Sequence, residues 1–321
     1  MNYVEISVII PTRNRLESLI ETIKSIYKSD YVPKQIVIID QSEKVYSDKI
    51  KTELKRFNNI EITYYYQNEP SLTKARNKGI ELAKYGIIIC SDDDIIVEKE
   101  TIKEIYKIFT ENKEVALIAG IDKRSELESS KGIKRHIIDI MGYVFMKKKK
   151  SNKGYVLKSI MARYPLNIEK RTETEWAMGY FFALRKELID NYNIEWDEKL
   201  ISYAYPEDLD FSYRFYEIVR KNNMKMILDP NVKVEHCTTS EWRITSKKQT
   251  FMYVINRQYL SYKLFPNYKS SRVMTIWCNL GELIRRIIYK DNIVDLFKAQ
   301  YYCFKYREDI KNGKLPYHLF E

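Results

Sequence analysis

Three consecutive aspartates, Asp92, Asp93 and Asp94, directly follow the apolar residues 86–90. A short isoleucine-rich run bounded by glycine and polar residues predicts a buried strand, which places the three carboxylates together at its carboxyl end. Carboxylates this close repel one another, and a divalent cation such as Mg²⁺ or Mn²⁺, shared with substrate phosphates, would hold them ionised. The triplet therefore indicates a metal-assisted nucleotide site, although a solvated loop or a helix N-cap explains it equally well on its own.

A second acidic pair, Glu207 and Asp208, follows Pro206 at the start of a predicted amphipathic helix. Proline and acidic residues are favoured in the first turn of any helix, so helix capping is by itself a sufficient explanation.

Alternating strand and helix patterns in the first 120 residues are the elements that must position these groups. The predicted strands are residues 6–10, 35–39, 60–66, 86–90 and 115–119, and the predicted helices are residues 16–27, 72–84 and 101–109. Repeated βα units predict an α/β fold with a doubly wound, mostly parallel sheet that carries helices on both faces. Ligands then bind at the carboxyl ends of the strands.

Two of the other strand ends also carry polar residues. Pro11, Thr12 and Arg13 follow the first strand, and Asp40 closes the second, where a carboxylate can bind a ribose or base, although a turn-favouring aspartate is the simpler explanation. Neither GxGxxG nor GxxxxGK[ST] follows any predicted strand, so phosphate binding falls to a metal and to basic side chains. Arg76 is a candidate for such a contact, and a solvent-facing helix arginine is the alternative.

Length and composition fit one large α/β domain with an appendage. The chain has 321 residues, 45% of them hydrophobic, and four cysteines without CxxC spacing, so neither a zinc site nor a disulfide framework is expected. The N-terminus lacks the pattern of a secretory signal, and no apolar stretch approaches the roughly 20 residues that cross a bilayer. We therefore expect a cytoplasmic protein, soluble or peripheral on a membrane.

The net charge of +11 is concentrated in two segments. Residues 123–171 contain 14 basic and 4 acidic side chains, and residues 246–321 contain 14 and 6. These segments flank an acidic body and predict an anionic partner, such as a phospholipid surface, a pyrophosphate-linked lipid or a polyanionic polymer. Charge alone also permits nucleic acid, and lysines 147–150 are explained equally well as solubilising residues.

Seven segments in a fixed order carry a resemblance to a known family. They read ISVIIPTRNR, IVIID, SLTKARNKGI, CSDDD, MGYFFALRKEL, PEDLDFSYR and VEHCTT. Over residues 4–240 the chain resembles family-2 glycosyltransferases of the GT-A fold, similar to those that build bacterial surface polysaccharides. Each segment alone is weak evidence for the family, but the order and spacing of all seven together are specific to it.

The resemblance implies a nucleotide-sugar donor site. Asp92 and Asp94 match the ends of the DXD motif of the family, with Asp92 near the donor ribose and Asp94 on the metal. Pro11, Thr12 and Asp40 match positions that hold the nucleobase. The candidate donor contacts are Pro11, Thr12, Arg13, Asp40, Asn68, Arg76, Asp92 and Asp93.

The resemblance also implies inverting chemistry with Mn²⁺ or Mg²⁺. Asp208 matches the catalytic base, Glu207 would orient the acceptor, and His236 matches a late metal or pyrophosphate contact, so the metal candidates are Asp94, Asp92 and His236. The implied reaction is hexosyl or deoxyhexosyl transfer to a saccharide, polyol-phosphate or lipid-linked acceptor in cell-surface glycan synthesis. One departure is Ser71, where relatives often have glycine, which puts the geometry of that loop in doubt.

The predicted organisation is a catalytic GT-A domain over residues 1–245, in which residues 123–171 form a basic acceptor-side insertion, followed by a basic helical extension over residues 246–321. The extension is expected to pack on the core as a helical cap, and contact with the inner leaflet of a membrane is a further prediction. Two other classes remain open: a sugar nucleotidyltransferase, and a basic nucleic-acid-binding protein, which the carboxylate clusters argue against. The oligomeric state is left open.

Overall fold

A computed structural model describes residues 2–124, 140–145, 151–165, 168–237 and 245–320. The strands are β1 (Asn2–Thr12), β2 (Tyr31–Asp40), β3 (Glu61–Tyr66), β4 (Ile87–Ser91), β5 (Ile95–Val97), β6 (Val115–Asp122), β7 (Tyr155–Leu157), β8 (Met161–Arg163), β9 (Thr172–Glu173), β10 (Phe181–Arg185) and β11 (Lys225–His236). The helices are α1 (Leu16–Tyr27), α2 (Lys44–Leu54), α3 (Leu72–Leu82), α4 (Thr101–Glu111), α5 (Lys186–Tyr192), α6 (Glu207–Lys221), α7 (Ser246–Lys263), α8 (Lys269–Tyr289), α9 (Val294–Lys305) and α10 (Arg307–Lys311). Residues 140–145 are also helical, and Tyr317–Leu319 form a 3₁₀ turn.

Within these described segments, nine strands form one mixed sheet in the order β3-β2-β1-β4-β10-β6-β11-β5, with β9 paired to β11. Strands β1 to β4 run parallel, and β10 lies antiparallel between β4 and β6. Thr12 pairs in register with Asp40, so the carboxyl ends of β1 and β2 lie at one edge of the sheet, and β4 ends there as well. The predicted parallel α/β architecture is confirmed, and this edge gathers the strand-end residues.

The sheet is buried on both faces. In β1, Ile6, Val8 and Ile10 pack into one apolar cluster with α1 and α4, while Ile9 packs into a second with α3 and α6. Such strands read as continuous apolar runs in the sequence because neither face meets water. The same burial makes the strand ends, where the polar residues begin, easy to recognise.

The predicted elements of the first 120 residues all form, and α1 has the predicted bounds. Helix α2 was not predicted. Its sequence is mostly polar, and only Ser47, Ile50 and Leu54 are buried, so it carries little apolar periodicity. The prediction about lysines 147–150 lies outside the described residues.

The C-terminal helices pack on the rest of the molecule through a third apolar cluster. Phe251, Ile255 and Leu260 of α7 are buried with Ile160 of the β7–β8 turn and Leu209 of α6. Helix α7 is buried around much of its circumference, as expected of a central helix rather than a surface one. The predicted helical cap is therefore present.

Candidate active site

The acidic triplet occupies the tight turn between β4 and β5. Thr22 of α1 fixes this turn, because its hydroxyl donates to the carbonyl oxygen of Asp93 at 2.8 Å and accepts from the amide of Ile95 at 3.0 Å. The three aspartates are thus held at the sheet edge by a helix on one face, and their side chains take different directions.

The middle aspartate turns inward. Asp93 accepts hydrogen bonds from the Thr12 hydroxyl at 2.7 Å and from Arg15 at 2.9 Å. Burial raises the pKa of the Asp93 carboxyl to about 7, although the charge of Arg15 opposes the shift. Asp93 therefore ties the end of β1 to the triplet and lies on the wall of a small cavity.

The outer aspartates form a possible metal centre with a histidine from the end of β11. Asp92, Asp94 and His236 each offer one ligand atom within 4.8 Å of the others. His236 Nε2 lies 3.2 Å from Asp94 Oδ1, and the imidazole stacks on Tyr180 with 5.4 Å between ring centroids. Burial lowers the pKa of His236, and the hydrogen bond and charge of Asp94 outweigh it, so the net shift is upward. Two carboxylates and one imidazole within this distance fit a divalent cation.

Arg76 is buried and does not face solvent, with 2% of its surface exposed. Its guanidinium donates to Glu207 at 2.6 Å, to Asp92 at 3.1 Å and to the carbonyl oxygen of Gly179 at 2.9 Å. Burial works against its charge, but Glu207 and Asp92 more than compensate and raise the pKa of Arg76. Arg76 thus links the triplet to the second acidic pair through three partners.

The second acidic pair begins α6. Asp208 Oδ2 accepts from the amide of Gly179 at 3.0 Å, and Oδ1 accepts from the amide of Leu209 at 2.8 Å. Each carboxylate oxygen keeps a second lone pair for another donor. Burial raises the pKa of Asp208 and raises that of Glu207 to about 7, despite Arg76 nearby.

Gly179 is the close-approach point between these groups. A Cβ atom there would stand 3.1 Å from an Arg76 nitrogen and 3.1 Å from the Asp208 Cβ, tighter than ordinary contacts. The missing side chain lets the backbone of one residue hold both Arg76 and Asp208.

Both acidic groups share one cleft. Asp92, His236, Glu207 and Asp208 line a cavity of about 290 Å³, together with Trp176. A large separation between the triplet and Asp208 would have excluded a common reaction centre, and the structure brings them together. The β7–β8 hairpin adds Ile160 to Arg163 to the same wall, so part of the basic 123–171 segment reaches the site.

A smaller cavity of about 120 Å³ adjoins the ends of β1 and β4. Pro11, Thr12, Arg13, Asp92 and Asp93 line it, as expected for donor contacts.

Asp40 lies behind that wall rather than on it. It is fully buried, and it accepts from the Ser42 amide at 2.8 Å and the Tyr64 hydroxyl at 2.5 Å. The next residue, Gln41, lines the small cavity instead. Asn68 is exposed and lines neither of the two cavities described.

The loop that contains Ser71 is well supported without glycine. Ser71 is the N-cap of α3, has an extended backbone with φ of −157°, and its hydroxyl accepts from the Lys74 amide at 3.4 Å. Its own amide donates to Gln41 at 2.6 Å. The departure from the family pattern therefore causes no backbone strain here.

Several site residues were not predicted. Arg15 bonds Asp93, and Tyr203 lines both cavities, although no role was predicted for either residue from the sequence. Arg15 lies in the same post-strand segment as Arg13, so its position was a usable signal. Tyr203 lies in an irregular loop with no sequence signal, and only the fold places it beside the triplet.

The sheet order and the metal-competent acidic edge define a GT-A fold. A family model described as Glycosyl transferase family 2 matches residues 7–193. The chain belongs to this family.

Two curated proteins and one solved structure show the range of its relatives. Glycosyltransferase GlyG of Streptococcus pneumoniae is 28% identical over 115 residues, which cover 36% of this chain and 38% of GlyG. Glucosyl-dolichyl phosphate glucuronosyltransferase of Haloferax volcanii is 24% identical over 120 residues, which cover 36% of this chain and 37% of that protein. The match thus spans little more than a third of the length of these relatives.

Mannosyltransferase PcManGT from Pyrobaculum calidifontis, solved with GDP-Man and Mn²⁺, has a similar structure. The TM-score is 0.55 at 12% identity, with 97% of this chain and 83% of that chain covered. At this identity the likeness establishes the fold.

Proposed function

We propose that this protein is an inverting, metal-dependent glycosyltransferase. It would move a hexosyl or deoxyhexosyl group from a nucleotide-sugar donor to a hydroxyl of a saccharide, polyol-phosphate or lipid-linked acceptor in cell-surface glycan synthesis. The observation that carries the proposal is the single cleft that Asp92 of the triplet shares with Asp208. Membership of the glycosyltransferase family supports it.

The small cavity is the proposed donor pocket. Pro11, Thr12 and Gln41 line it and offer backbone and amide groups to a nucleobase, while Asp92 reaches the ribose side. Asp40 supports the pocket from behind through Ser42 and Tyr64. Arg13 stays at the rim as a candidate phosphate contact.

Asp92, Asp94 and His236 are the proposed metal ligands. The carboxylates suit Mg²⁺ or Mn²⁺, and the imidazole, a softer ligand, favours Mn²⁺. A bound cation would supply Lewis-acid stabilisation to the diphosphate leaving group. The neighbour PcManGT was solved with Mn²⁺, which agrees with this choice.

Asp208 is the proposed general base. The acceptor oxygen attacks the anomeric carbon, the bond from that carbon to the diphosphate oxygen breaks with its electron pair on the leaving group, and the hydroxyl proton passes to Asp208. One displacement inverts the configuration. Partial burial raises the pKa of Asp208, which makes it a stronger base than a fully exposed aspartate.

Glu207 and Arg76 are proposed positioning residues. Their 2.6 Å hydrogen bond fixes the first turn of α6, and the second contact of Arg76 fixes Asp92. This bridge sets the distance between the metal side and the base side of the cleft. Because Arg76 makes three hydrogen bonds to protein groups, we assign it this role in place of a phosphate contact.

We retain the division at residue 245 and propose that the extension also contacts an anionic membrane surface, on the cytoplasmic face of the plasma membrane. Phe297, Tyr301 and Phe304 project from α9 with more than half of their surface exposed, beside Lys298 and Lys305. An apolar stripe edged with lysines is typical of interfacial helices. Among the described helices, none combines the length and apolar character needed to cross a bilayer.

Vesicle binding tests that surface. We expect sedimentation with phosphatidylglycerol vesicles at low salt, and at least fivefold weaker binding after joint replacement of Phe297 and Phe304 by serine. Replacement of the exposed Val45 and Tyr46 of α2 by serine is the matched control. Equal binding by all three proteins would remove the contact from α9.

The donor site is tested by thermal stabilisation with a panel of nucleotide sugars, with and without Mn²⁺. We expect Asp94→Ala to weaken donor binding in Mn²⁺ at least tenfold by calorimetry, about 1.4 kcal/mol. Asp190→Ala, which changes an exposed aspartate of α5, is the control. An unchanged affinity in Asp94→Ala would remove Asp94 from the metal site.

A further inference from the structure

A third and larger cavity, of about 520 Å³, lies between the catalytic loop, residues 202–206 directly before α6, and the C-terminal helices. Its volume is in the range of sites that take small ligands. Helices α7 and α8 and the α8–α9 connection form most of its wall, and Tyr203 and Tyr205 form the side that faces the catalytic cleft.

Tyr203 lies at the junction of all three cavities. It lines the donor pocket, the catalytic cleft and this larger cavity, and about half of its surface is exposed. Both of its neighbours, Ser202 and Ala204, have φ of 60°, in the left-handed region that side chains other than glycine rarely adopt. Contacts with a neighbouring segment stabilise this strained backbone, because the carbonyl oxygen of Ser202 accepts a hydrogen bond from the Leu72 amide at 3.2 Å.

The cavity has a fixed aromatic side. Tyr205 stacks on Tyr253 of α7 with 5.9 Å between centroids, and the guanidinium of Arg257 lies 4.5 Å from the Tyr253 centroid. Asn256 holds the same loop by donating to the Tyr205 carbonyl at 2.7 Å. Rigid aromatic rings beside a reaction centre offer flat apolar faces at low entropic cost.

Among the lining residues that the structure describes, both positive charges on the polar side of the cavity are paired with acidic side chains. Arg285 donates twice to Glu282 at 2.8 Å and pairs with Asp291 at 3.0 Å. Arg286 donates to Glu282, to the Asn292 carbonyl and to the Thr250 hydroxyl. With Asp295, the wall carries three acids against two arginines, a formal charge of −1.

This charge balance selects among acceptor classes. A chain of phosphodiesters needs unpaired cationic donors, and both guanidinium groups here are already paired with Glu282, Arg285 also with Asp291. A neutral sugar ring has an apolar face that suits Tyr205 and Tyr253, and hydroxyl groups that suit Gln249, Asp295 and Asn292. The basic character of the extension as a whole therefore does not describe this cavity.

We propose that the large cavity is the acceptor subsite and that it takes a neutral saccharide rather than a polyol-phosphate; this rests on the proposed glycosyltransferase function. Tyr203 lies between the acceptor subsite and the donor pocket. At this junction an acceptor hydroxyl can reach the cleft that contains Asp208. The C-terminal helices then serve recognition as well as packing.

Direct binding tests this without any reaction. Saturation-transfer NMR would be recorded with maltose, cellobiose and lactose, with their octyl glycosides, and with glycerol-phosphate oligomers, in the absence of donor and metal. We expect signals from at least one neutral disaccharide and none from the phosphate oligomers. Equal affinity for the free and octyl forms would locate recognition in the sugar, and at least tenfold tighter octyl binding would indicate a lipid-linked saccharide.

Gln249→Trp is the blocking variant, because it fills the cavity from an exposed position of α7 without removing a contact of the wall. Lys247→Trp places the same ring on the same helix, at an exposed position outside the cavity, and is the matched control. We expect saccharide binding to weaken at least tenfold in Gln249→Trp and to persist in Lys247→Trp. Binding that survives in both, or binding of the phosphate oligomers alone, would overturn the assignment.

The donor screen separates this inference from the proposed function. If nucleotide sugars stabilise the protein but no neutral saccharide binds in the cavity, only the acceptor assignment is wrong. If saccharides bind but no nucleotide sugar does, the cavity is a saccharide site and the transferase proposal is wrong.

Discussion

The proposed donor side and the proposed acceptor side of the cleft are built in different ways. On the donor side, the residues follow directly from strand ends, and Thr12 at the end of β1 and Arg15 just beyond it both donate to Asp93 after β4. On the acceptor side, Arg257 of α7 holds the β7–β8 turn by donating to the carbonyl oxygens of Ser159 and Ile160. The first arrangement is set by the order of the strands, and the second depends on packing between segments far apart in the chain.

The electrostatics differ in the same way. Five acidic side chains, Asp92, Asp93, Asp94, Glu207 and Asp208, gather around the donor and catalytic region, with Arg15 and Arg76 between them. The acceptor cavity has nearly balanced charges. A metal-dependent reaction needs the first environment, and recognition of an uncharged ligand needs the second.

The largest expected effect is on the reaction itself. Asp208→Asn keeps the shape of the side chain but removes the base, so we expect turnover to fall by about 10²–10⁴-fold. Donor affinity in Mn²⁺ should stay within twofold, because Asp208 lines the catalytic cleft and not the small proposed donor pocket. Initial rates and calorimetry measure the two quantities.

Asp190→Asn is the control for that substitution, since its carboxylate is exposed and pairs with Lys186. Near wild-type turnover in Asp208→Asn would exclude Asp208 as the base. A parallel loss of donor affinity would show that the two sides of the cleft are not separable.

The second prediction concerns the bridge between the two sides. Arg76→Met leaves Glu207 and Asp92 without their buried partner, and we expect the free energy of unfolding to fall by about 3 kcal/mol. The added change Glu207→Gln removes one of the stranded charges and should recover part of this loss. Urea denaturation of the single and double variants measures the coupling.

Lys74→Met is the matched control on the same helix. Lys74 pairs with Glu69 at the surface, where an ion pair contributes about 0–1 kcal/mol. If Arg76→Met were no more destabilising than Lys74→Met, the buried bridge would not hold the cleft together.

The difference between the sides also explains what the sequence could predict. The triplet, the βα order and the strand ends are local patterns, so the sequence predicted five residues of the proposed donor pocket: Pro11, Thr12, Arg13, Asp92 and Asp93. Asp40 shows the limit, because the pattern located the right strand end but the backbone turn presents Gln41 to the cavity.

The acceptor side left almost no local signal. Tyr203, Tyr205 and Tyr253 are unremarkable in a chain with 27 tyrosines, and they meet only because α7 packs on the catalytic loop. The charge count predicted a basic surface, yet the arginines of the cavity are neutralised by acids of α8 and the following loop. Such pairing depends on the tertiary fold and cannot be read from composition.

The smallest expected effect tests whether the acceptor side can be loosened alone. Arg257→Met leaves the carbonyls of Ser159 and Ile160 and the side-chain oxygen of Asn279 without their donor, and we expect a loss of about 2 kcal/mol in stability. Ile160 has φ of 55°, unusual for a β-branched residue, so the turn should relax once its carbonyl is released. The acceptor KM should then rise severalfold, while donor affinity stays unchanged.

Arg307→Met provides the control for Arg257→Met, because Arg307 lies in the same extension with most of its side chain exposed. We expect Arg257→Lys to lower the acceptor KM only slightly from the Arg257→Met value, because lysine cannot reproduce the forked contact of arginine with two adjacent carbonyl oxygens. If Arg257→Lys returned the acceptor KM to the wild-type value, a positive charge alone would suffice. If donor affinity fell as far as acceptor affinity, the hairpin would have to be part of a single cooperative site, and the separation of the two sides would be wrong.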